Sequence, residues 1–319
     1  MGATTLGRRS FLMSGTAVLA AASVWPREGL AQFAVPNSAG TGRPKLNVPA
    51  LACDCHHHIY DAARFPQPRG ATTALWPDAR VEEFRLLQHR LGTSRNVVVT
   101  PSAYLTDNRV TLDAVARLSP HARGVAVVDP AITDADLKAL HAGGIRGIRF
   151  AITNATISPK TLTDIESLGG RIAPLGWHLQ FNTTADQVTT LESVLLRLPT
   201  PLVFDHMGHV SPAGVTHPAY RIIRRLIDRG RTWVKLSVTY DNTKDGPPSF
   251  ADVNAVGQAF VKAAPERMLW GSNWPHPNET TKPDDAVLFD LLETWAPDGA
   301  TRRRILVDNP ATLYGFTPG

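Results

Sequence analysis

From about residue 50 onward, short apolar runs alternate with longer stretches in which apolar residues recur every three or four positions. The runs predict strands at Leu51–His58, Asn96–Tyr104, Gly124–Asp129, Gly147–Ile152, Trp177–Asn182, Leu202–His206, Trp233–Val238 and Met268–Trp274. The spaced stretches predict helices at Val81–Leu91, Thr111–Leu118, Asp134–Ala142, Thr161–Leu168, Ala185–Leu198, Ala219–Arg229, Asp252–Ala264 and Asp284–Trp295. Runs such as Asn96-Val97-Val98-Val99 hardly alternate, as expected of strands whose outer face is covered by helices. Strand followed by helix, eight times over, predicts an α/β fold: a closed parallel (β/α)₈ TIM barrel in a single domain, residues 49–319. Two dinucleotide-binding halves are the competing architecture. No Gly-x-Gly-x-x-Gly turn follows any of these strands, and no Walker loop or Gly-x-Ser-x-Gly elbow is present.

The first residues break the pattern. Arg8-Arg9-Ser10-Phe11-Leu12 precedes a mildly apolar stretch from Met13 to Trp25, and Gly29-Leu30-Ala31 offers small residues for a signal peptidase. Residues 1–31 read as a twin-arginine signal peptide, since the apolar run is too short and too rich in Ala, Gly and Ser to span a bilayer. The alternative is an ordinary disordered N-terminus. The signal predicts export through the twin-arginine machinery to the periplasm, with no stable membrane insertion after its removal. Residues 32–48, polar with Pro and Gly, read as a linker or arm.

Charge and composition narrow the function classes. The net charge is +5, and Arg8, Arg9 and Arg27 against Glu28 contribute +2 of it, leaving about +3 without the leader. The basic clusters at Arg221–Arg231 and Arg302–Arg304 carry no interleaved aromatics, so a nucleic-acid partner is not expected and a small-molecule substrate is. Cys53 and Cys55, two apart on one strand, cannot close a relaxed disulfide and read as small buried residues.

Barrel chemistry belongs at the C-terminal strand ends. Strand one ends Asp54-Cys55-His56-His57-His58, and a period of two sets Asp54, His56 and His58 on one face and Cys53, Cys55 and His57 on the other. His56 and His58 then face inward, where two imidazoles can share a metal ion or a carbonyl group, and His57 faces the helices. Strand six ends Phe204-Asp205-His206-Met207-Gly208-His209, and strand eight ends Trp270-Gly271-Ser272-Asn273-Trp274-Pro275-His276.

These residues resemble a family. Asp54-x-His56-x-His58-x-Tyr60-Asp61, Phe204-Asp205-His206-Met207-Gly208 and Trp270-Gly271-Ser272-Asn273-Trp274-Pro275-His276 are similar to motifs of the amidohydrolase superfamily, in the branch of 2-pyrone-4,6-dicarboxylate lactonase and sugar-lactone and muconolactone hydrolases. Pro101-Ser102 with Asp107-Asn108-Arg109, and the terminal Asp308-Asn309-Pro310-Ala311, resemble further motifs of that branch. The resemblance runs from about residue 49 to the end. It implies a hydrolase acting on a lactone, with His56, His58 and His206 around the carbonyl as catalytic residues.

The departure from the motif is Asn273. The family pattern places there an aspartate that activates water, and an amide cannot take up a proton. A related lactone isomerase also carries Asn at this place, so isomerisation, in which a hydroxyl of the substrate attacks, is the alternative reaction. A non-catalytic periplasmic binding protein is a third reading. The resemblance implies either no cofactor or one divalent metal such as zinc, held by His56, His58 and His206 with His178 as a further candidate. For substrate binding the candidates are Arg149, whose fork matches a carboxylate, with Ser102, Tyr104 and His209. A surface salt bridge is the other reading of Arg146 and Arg149. His209, His276 and Asp241 stand as candidate replacement bases.

Overall fold

The computed structural model describes residues 1–2, 34–71, 78–152, 157–211, 213–247 and 249–317, and the barrel belongs to the compact unit Gln32–Gly319. The twin-arginine pair and its apolar run lie outside the described residues. No helix among the described residues is long and apolar enough to cross a membrane.

Eight strands follow one another in chain order: β1 (Cys53–His57), β2 (Arg95–Val99), β3 (Ala122–Ala126), β4 (Ile145–Ala151), β5 (His178–Asn182), β6 (Leu202–Phe204), β7 (Thr232–Leu236) and β8 (Met268–Trp270). Each pairs in parallel with the next. Two backbone hydrogen bonds close the ring: Asn273 N–H donates to the His56 carbonyl and His58 N–H to the Trp274 carbonyl, both at 2.8 Å. Gly271 makes that closure possible, because a Cβ there would lie 2.6 Å from the Cβ of His56. The chain is therefore the (β/α)₈ barrel that the apolar pattern predicts.

The helices α1 (Val81–Leu91), α2 (Arg109–Leu118), α3 (Asp134–Ala142), α4 (Pro159–Ile172), α5 (Ala185–Leu195), α6 (Pro218–Asp228), α7 (Ala251–Ala263) and α8 (Asp285–Trp295) form the outer layer. Their starts follow local chemistry. Thr133 accepts from the Asp136 N–H, Thr184 and Gln187 form a reciprocal capping box, and Asp284 accepts from the Ala286 N–H. In α1 the buried residues Val81, Phe84, Leu87 and Leu91 fall on one stripe, and the Phe84 ring stacks 3.5 Å from that of His57. Truncating such a buried aromatic to Ala costs about 3–5 kcal/mol. Two short helices absent from the expected pattern, α9 (Gly299–Arg303) and α10 (Asn309–Tyr314), end the chain.

Residues 34–48 lie along the barrel as an arm. Arg90 of α1 donates to the carbonyls of Ala39 (2.9 Å) and Gly42 (2.7 Å), and Asp290 of α8 accepts from the N–H of Lys45 at 2.7 Å. The barrel interior beneath the site is apolar. Cys53, Cys55, Val97, Val99, Val125, Val203, Trp233 and Leu269 pack there with Tyr314 and Phe316, which plug the N-terminal end. Arg95 and Arg123 cap that plug, each over the Phe316 ring.

One expectation about β1 changes. Both cysteines are free and buried, as expected, but they point into the barrel rather than toward the helices, and Asp54 points the other way. A register shift between Asp54 and His57 resets the alternation, so His56 faces inward despite its parity with Asp54. Asp54 accepts instead from the N–H of His56 and from the N–H and hydroxyl of Ser272. Strands β2, β6 and β8 also stop short of their predicted ends. Beyond Val99, Phe204 and Trp270 the chain turns through positive φ at Leu105, His206, Met207, His209, Asn273 and His276, which no strand can hold.

Candidate active site

The turn after β6 is the most strained part of the rim. His206, Met207, Gly208 and His209 take φ of 53°, 56°, 64° and 48° in succession, a left-handed run costing about 1–2 kcal/mol per non-glycine residue. The run brings His206 and His209 to one side, ring centroids 5.4 Å apart, and sets His206 4.9 Å from His56.

Beneath them lies a buried ionic knot with Asp205 as its hub. Its Oδ2 accepts from Arg149 Nε (2.9 Å) and Gln180 Nε2 (3.0 Å). Lys235, fully buried on β7, donates to Gln180 Oε1 at 2.7 Å and stands 3.2 Å from His56 Nδ1 and 3.4 Å from Asp205 Oδ1. Burial opposes ionisation of Asp205, but His56, Lys235 and Arg149 outweigh it and hold the carboxyl well below the usual carboxylate range. Burial pulls the Lys235 ammonium down, and Asp205 opposes that pull.

Proton counting orders the imidazoles. His58 Nδ1 lies 2.8 Å from the Val99 carbonyl, which only accepts, so that nitrogen carries the ring's proton and Nε2 is bare. His56 Nδ1 lies 3.1 Å from Asp205 Oδ1, which only accepts, so that nitrogen carries the proton of His56. The Nε2 atoms of His56 and His58, 3.3 Å apart, are then both bare, and Lys235 donates to Gln180 and faces Asp205. The rings are neutral: burial, helped by Lys235, lowers His56 well below its ordinary value, and burial, helped by Arg149, takes His58 down to about 3. With neutral imidazoles, the floor of the site carries two cations against one carboxylate.

Above this floor opens a cavity of about 460 Å³. His58, His206, Asn273, Arg149, Ser102 and His209 all line it, together with Tyr60, Asn182 and Asp241. Arg149 spends only its Nε on Asp205, which leaves the two terminal nitrogens of its fork toward the cavity. It is buried on the barrel side of the rim, not part of a surface salt bridge. His56 is fully buried and acts from behind His58. Ser237 Oγ stands 2.9 Å from His206 Nδ1, and a hydroxyl donating there leaves the opposite N–H of the ring to point outward.

Other expected residues lie elsewhere. Tyr104 does not line the cavity. Its hydroxyl accepts from the Asp61 N–H at 3.1 Å, and Tyr60 takes the place at the wall. His178 sits lower in the barrel, its ring against Gly147, where a Cβ would clash at 2.4 Å, and edge-on to Tyr314 at 5.4 Å. His276 is fully buried behind Tyr240 and out of reach of the cavity, whereas His209 and Asp241 reach it. Asn273 donates from Nδ2 to the Tyr240 hydroxyl at 2.8 Å.

A divalent metal fits this arrangement poorly. Among the described residues, one group of three has ligand atoms within 4.8 Å of one another, His56, Asp205 and His206, and it includes neither His58 nor His178. Both oxygens of Asp205 already face protein donors, and an ammonium lies 3.2 Å from His56. A dication added there would be repelled by Lys235 and Arg149 with no free carboxylate to offset it.

The amidohydrolase family matches residues 53–316 of the chain. The 2-pyrone-4,6-dicarboxylate hydrolase of Comamonas testosteroni is 33% identical over 288 residues, covering 86% of this chain and 94% of its own. The 4-sulfomuconolactone hydrolase of Rhizobium radiobacter is 35% identical over 276 residues, covering 84% and 91%. The D-galactarolactone isomerase of Agrobacterium fabrum is 32% identical over 283 residues, covering 86% and 94%.

Proposed function

This chain belongs to the amidohydrolase family, and from that premise we propose that it hydrolyses the ring ester of a small lactone bearing a carboxylate. The observation that carries the reading is the cavity floor, where neutral imidazoles lie over a knot holding two cations and one carboxylate. Such preorganised positive potential stabilises the oxyanion that forms when a lactone carbonyl is attacked, and each well-placed donor is worth about 10²–10³ in rate. His206 lines the cavity as the imidazole donor, with Arg149 beside it and Lys235 below. The free fork of Arg149 is the seat for the substrate carboxylate. Names of two relatives, a pyrone-dicarboxylate hydrolase and a sulfomuconolactone hydrolase, support an anionic lactone as substrate. The test is a panel of 2-pyrone-4,6-dicarboxylate, 4-sulfomuconolactone and galactarolactone, with products read by mass. Gain of one water is expected for at least one of them, and a panel without turnover counts against the reading.

Lactone isomerisation is the second reading, and Asn273 favours it. With an amide on the wall, water finds no base at that position, while a hydroxyl of the substrate is already held beside the carbonyl. The isomerase relative supports the same alternative.

For location, we propose periplasmic export through the twin-arginine route, on the strength of Arg8-Arg9 and the apolar stretch that follows. Changing Arg8→Lys together with Arg9→Lys is expected to hold the protein in the cytoplasm, and unchanged export contradicts the proposal.

A further inference from the structure

We propose that Tyr240, His276 and Asp285 form a buried positioning chain that locks the Asn273 amide with its carbonyl oxygen toward the cavity, making it the acceptor for the attacking hydroxyl. The proposal rests on reading the cavity as a lactone site. Asp285, fully buried in the first turn of α8, has Oδ2 3.1 Å from His276 Nε2. A carboxylate only accepts, so Nε2 carries a proton. Tyr240 Oη lies 2.9 Å from the ring's Nδ1 and, accepting the Asn273 N–H, has its own hydrogen to donate there. The phenol oxygen is then left as an acceptor, and 2.8 Å away the Asn273 side chain supplies an N–H.

Of the two ends of the amide, only Nδ2 can face Tyr240, so Oδ1 is turned the other way, and it takes no hydrogen bond from any described residue. The backbone is held as firmly. Asn273, at φ 64°, donates its N–H to the His56 carbonyl, and its own carbonyl accepts from the N–H of His276, both at 2.8 Å. Asn is among the few residues that tolerate this left-handed conformation readily. A side chain retained only as filler needs no chain of three polar groups to orient it. Fixed in this way, Oδ1 accepts the hydrogen of a water or of a substrate hydroxyl and points the nucleophile's lone pair at the carbonyl. No proton passes to the amide.

The chain is tested by Tyr240→Phe, which keeps the ring and removes the oxygen. On whichever lactone of the panel is turned over, kcat is expected to fall about tenfold with KM unchanged, the loss of one oriented hydrogen bond. In an Asn273→Ala background the same change is expected to cost nothing further. Equal losses in both backgrounds would mean that Tyr240 is merely structural, and would overturn the proposal. A readout without substrate separates this outcome from failure of the lactonase reading. In ¹⁵N-histidine-labelled wild-type protein at neutral pH, His276 is expected to show a protonated Nε2 and a bare Nδ1. A proton on Nδ1 would reverse the chain and refute it, whether or not any lactone reacts.

Discussion

One wall of the cavity turns charged groups toward it and the other a neutral amide, although both are built from buried polar chains. On the side of β1 and β4 to β7, Asp205 gathers Arg149, Gln180 and Lys235 beneath three imidazoles. On the side of β8, Asn273, Tyr240, His276 and Asp285 run in a line whose cavity end is an amide. The first wall can stabilise negative charge as it develops on an oxygen. The second can hold a nucleophile in place but cannot accept its proton. The difference separates polarising the carbonyl from activating the attacker, and the chain has clearly invested in the former.

The largest effect should come from giving the neutral wall a charge. Asn273→Asp restores a proton acceptor at a position where general-base catalysis is worth about 10²–10⁴-fold. A rise in lactone hydrolysis of that order is expected, and an unchanged rate would show that His209 or Asp241 already serves as base. Damage to the charged wall should come next. His206→Ala removes the nearest imidazole and is expected to lower kcat by about 10²–10³, while folding is retained. A variant with full turnover would place the oxyanion elsewhere.

Acid should expose the cost of the charged wall in stability. Burial takes His57, His58 and His178 each down to about 3, so the folded state declines protons that the unfolded chain accepts below about 6.5. Stability present above 6.5 is therefore lost as the pH falls from there toward 3. Asp54 works in the opposite direction. Burial raises it to about 7, so between its ordinary value of 3.8 and 7 the folded state holds a proton that the unfolded chain has released, and stability drops as the pH rises through that range. His56 and His206 are lowered in the same direction, so these protons outnumber the one of Asp54 and stability falls as the pH drops from 6.5 toward 4. Denaturant midpoints across that range measure it, and a flat profile would contradict the neutral imidazoles. The smallest effect is Asp54→Asn, which keeps acceptors for the two backbone N–H groups and should steepen the slope by about 1.4 kcal/mol per pH unit.

Much of this was readable from residue order. Eight apolar runs placed the strands, because a strand covered on both faces is mostly apolar and rarely alternates. The chemistry at their ends placed His58, His206, His209, Arg149, Ser102 and Asn273 around one cavity. What escaped did so for physical reasons. The bulge in β1 is a single-residue slip that alternation cannot register, so the orientation of Cys53, Cys55 and Asp54 came out reversed. Lys235, between Val234 and Leu236, looks like any lysine on the solvent side of a strand, and only the structure shows it buried against Gln180 and Asp205. Tyr104 shares a strand-end segment with Ser102, yet the 3₁₀ turn Ser102–Tyr104 swings it to Asp61. His178 is on the inward face, as its parity allows, but too low to reach the site.

The reaction itself is tested most directly by isotope. The reactive lactone of the panel is incubated with the protein in ¹⁸O-water, and the product is read by mass spectrometry before any exchange with solvent. Hydrolysis predicts one heavy oxygen in the newly formed carboxylate. A product carrying no label, rearranged within its own ring, would contradict hydrolysis and assign the site to isomerisation.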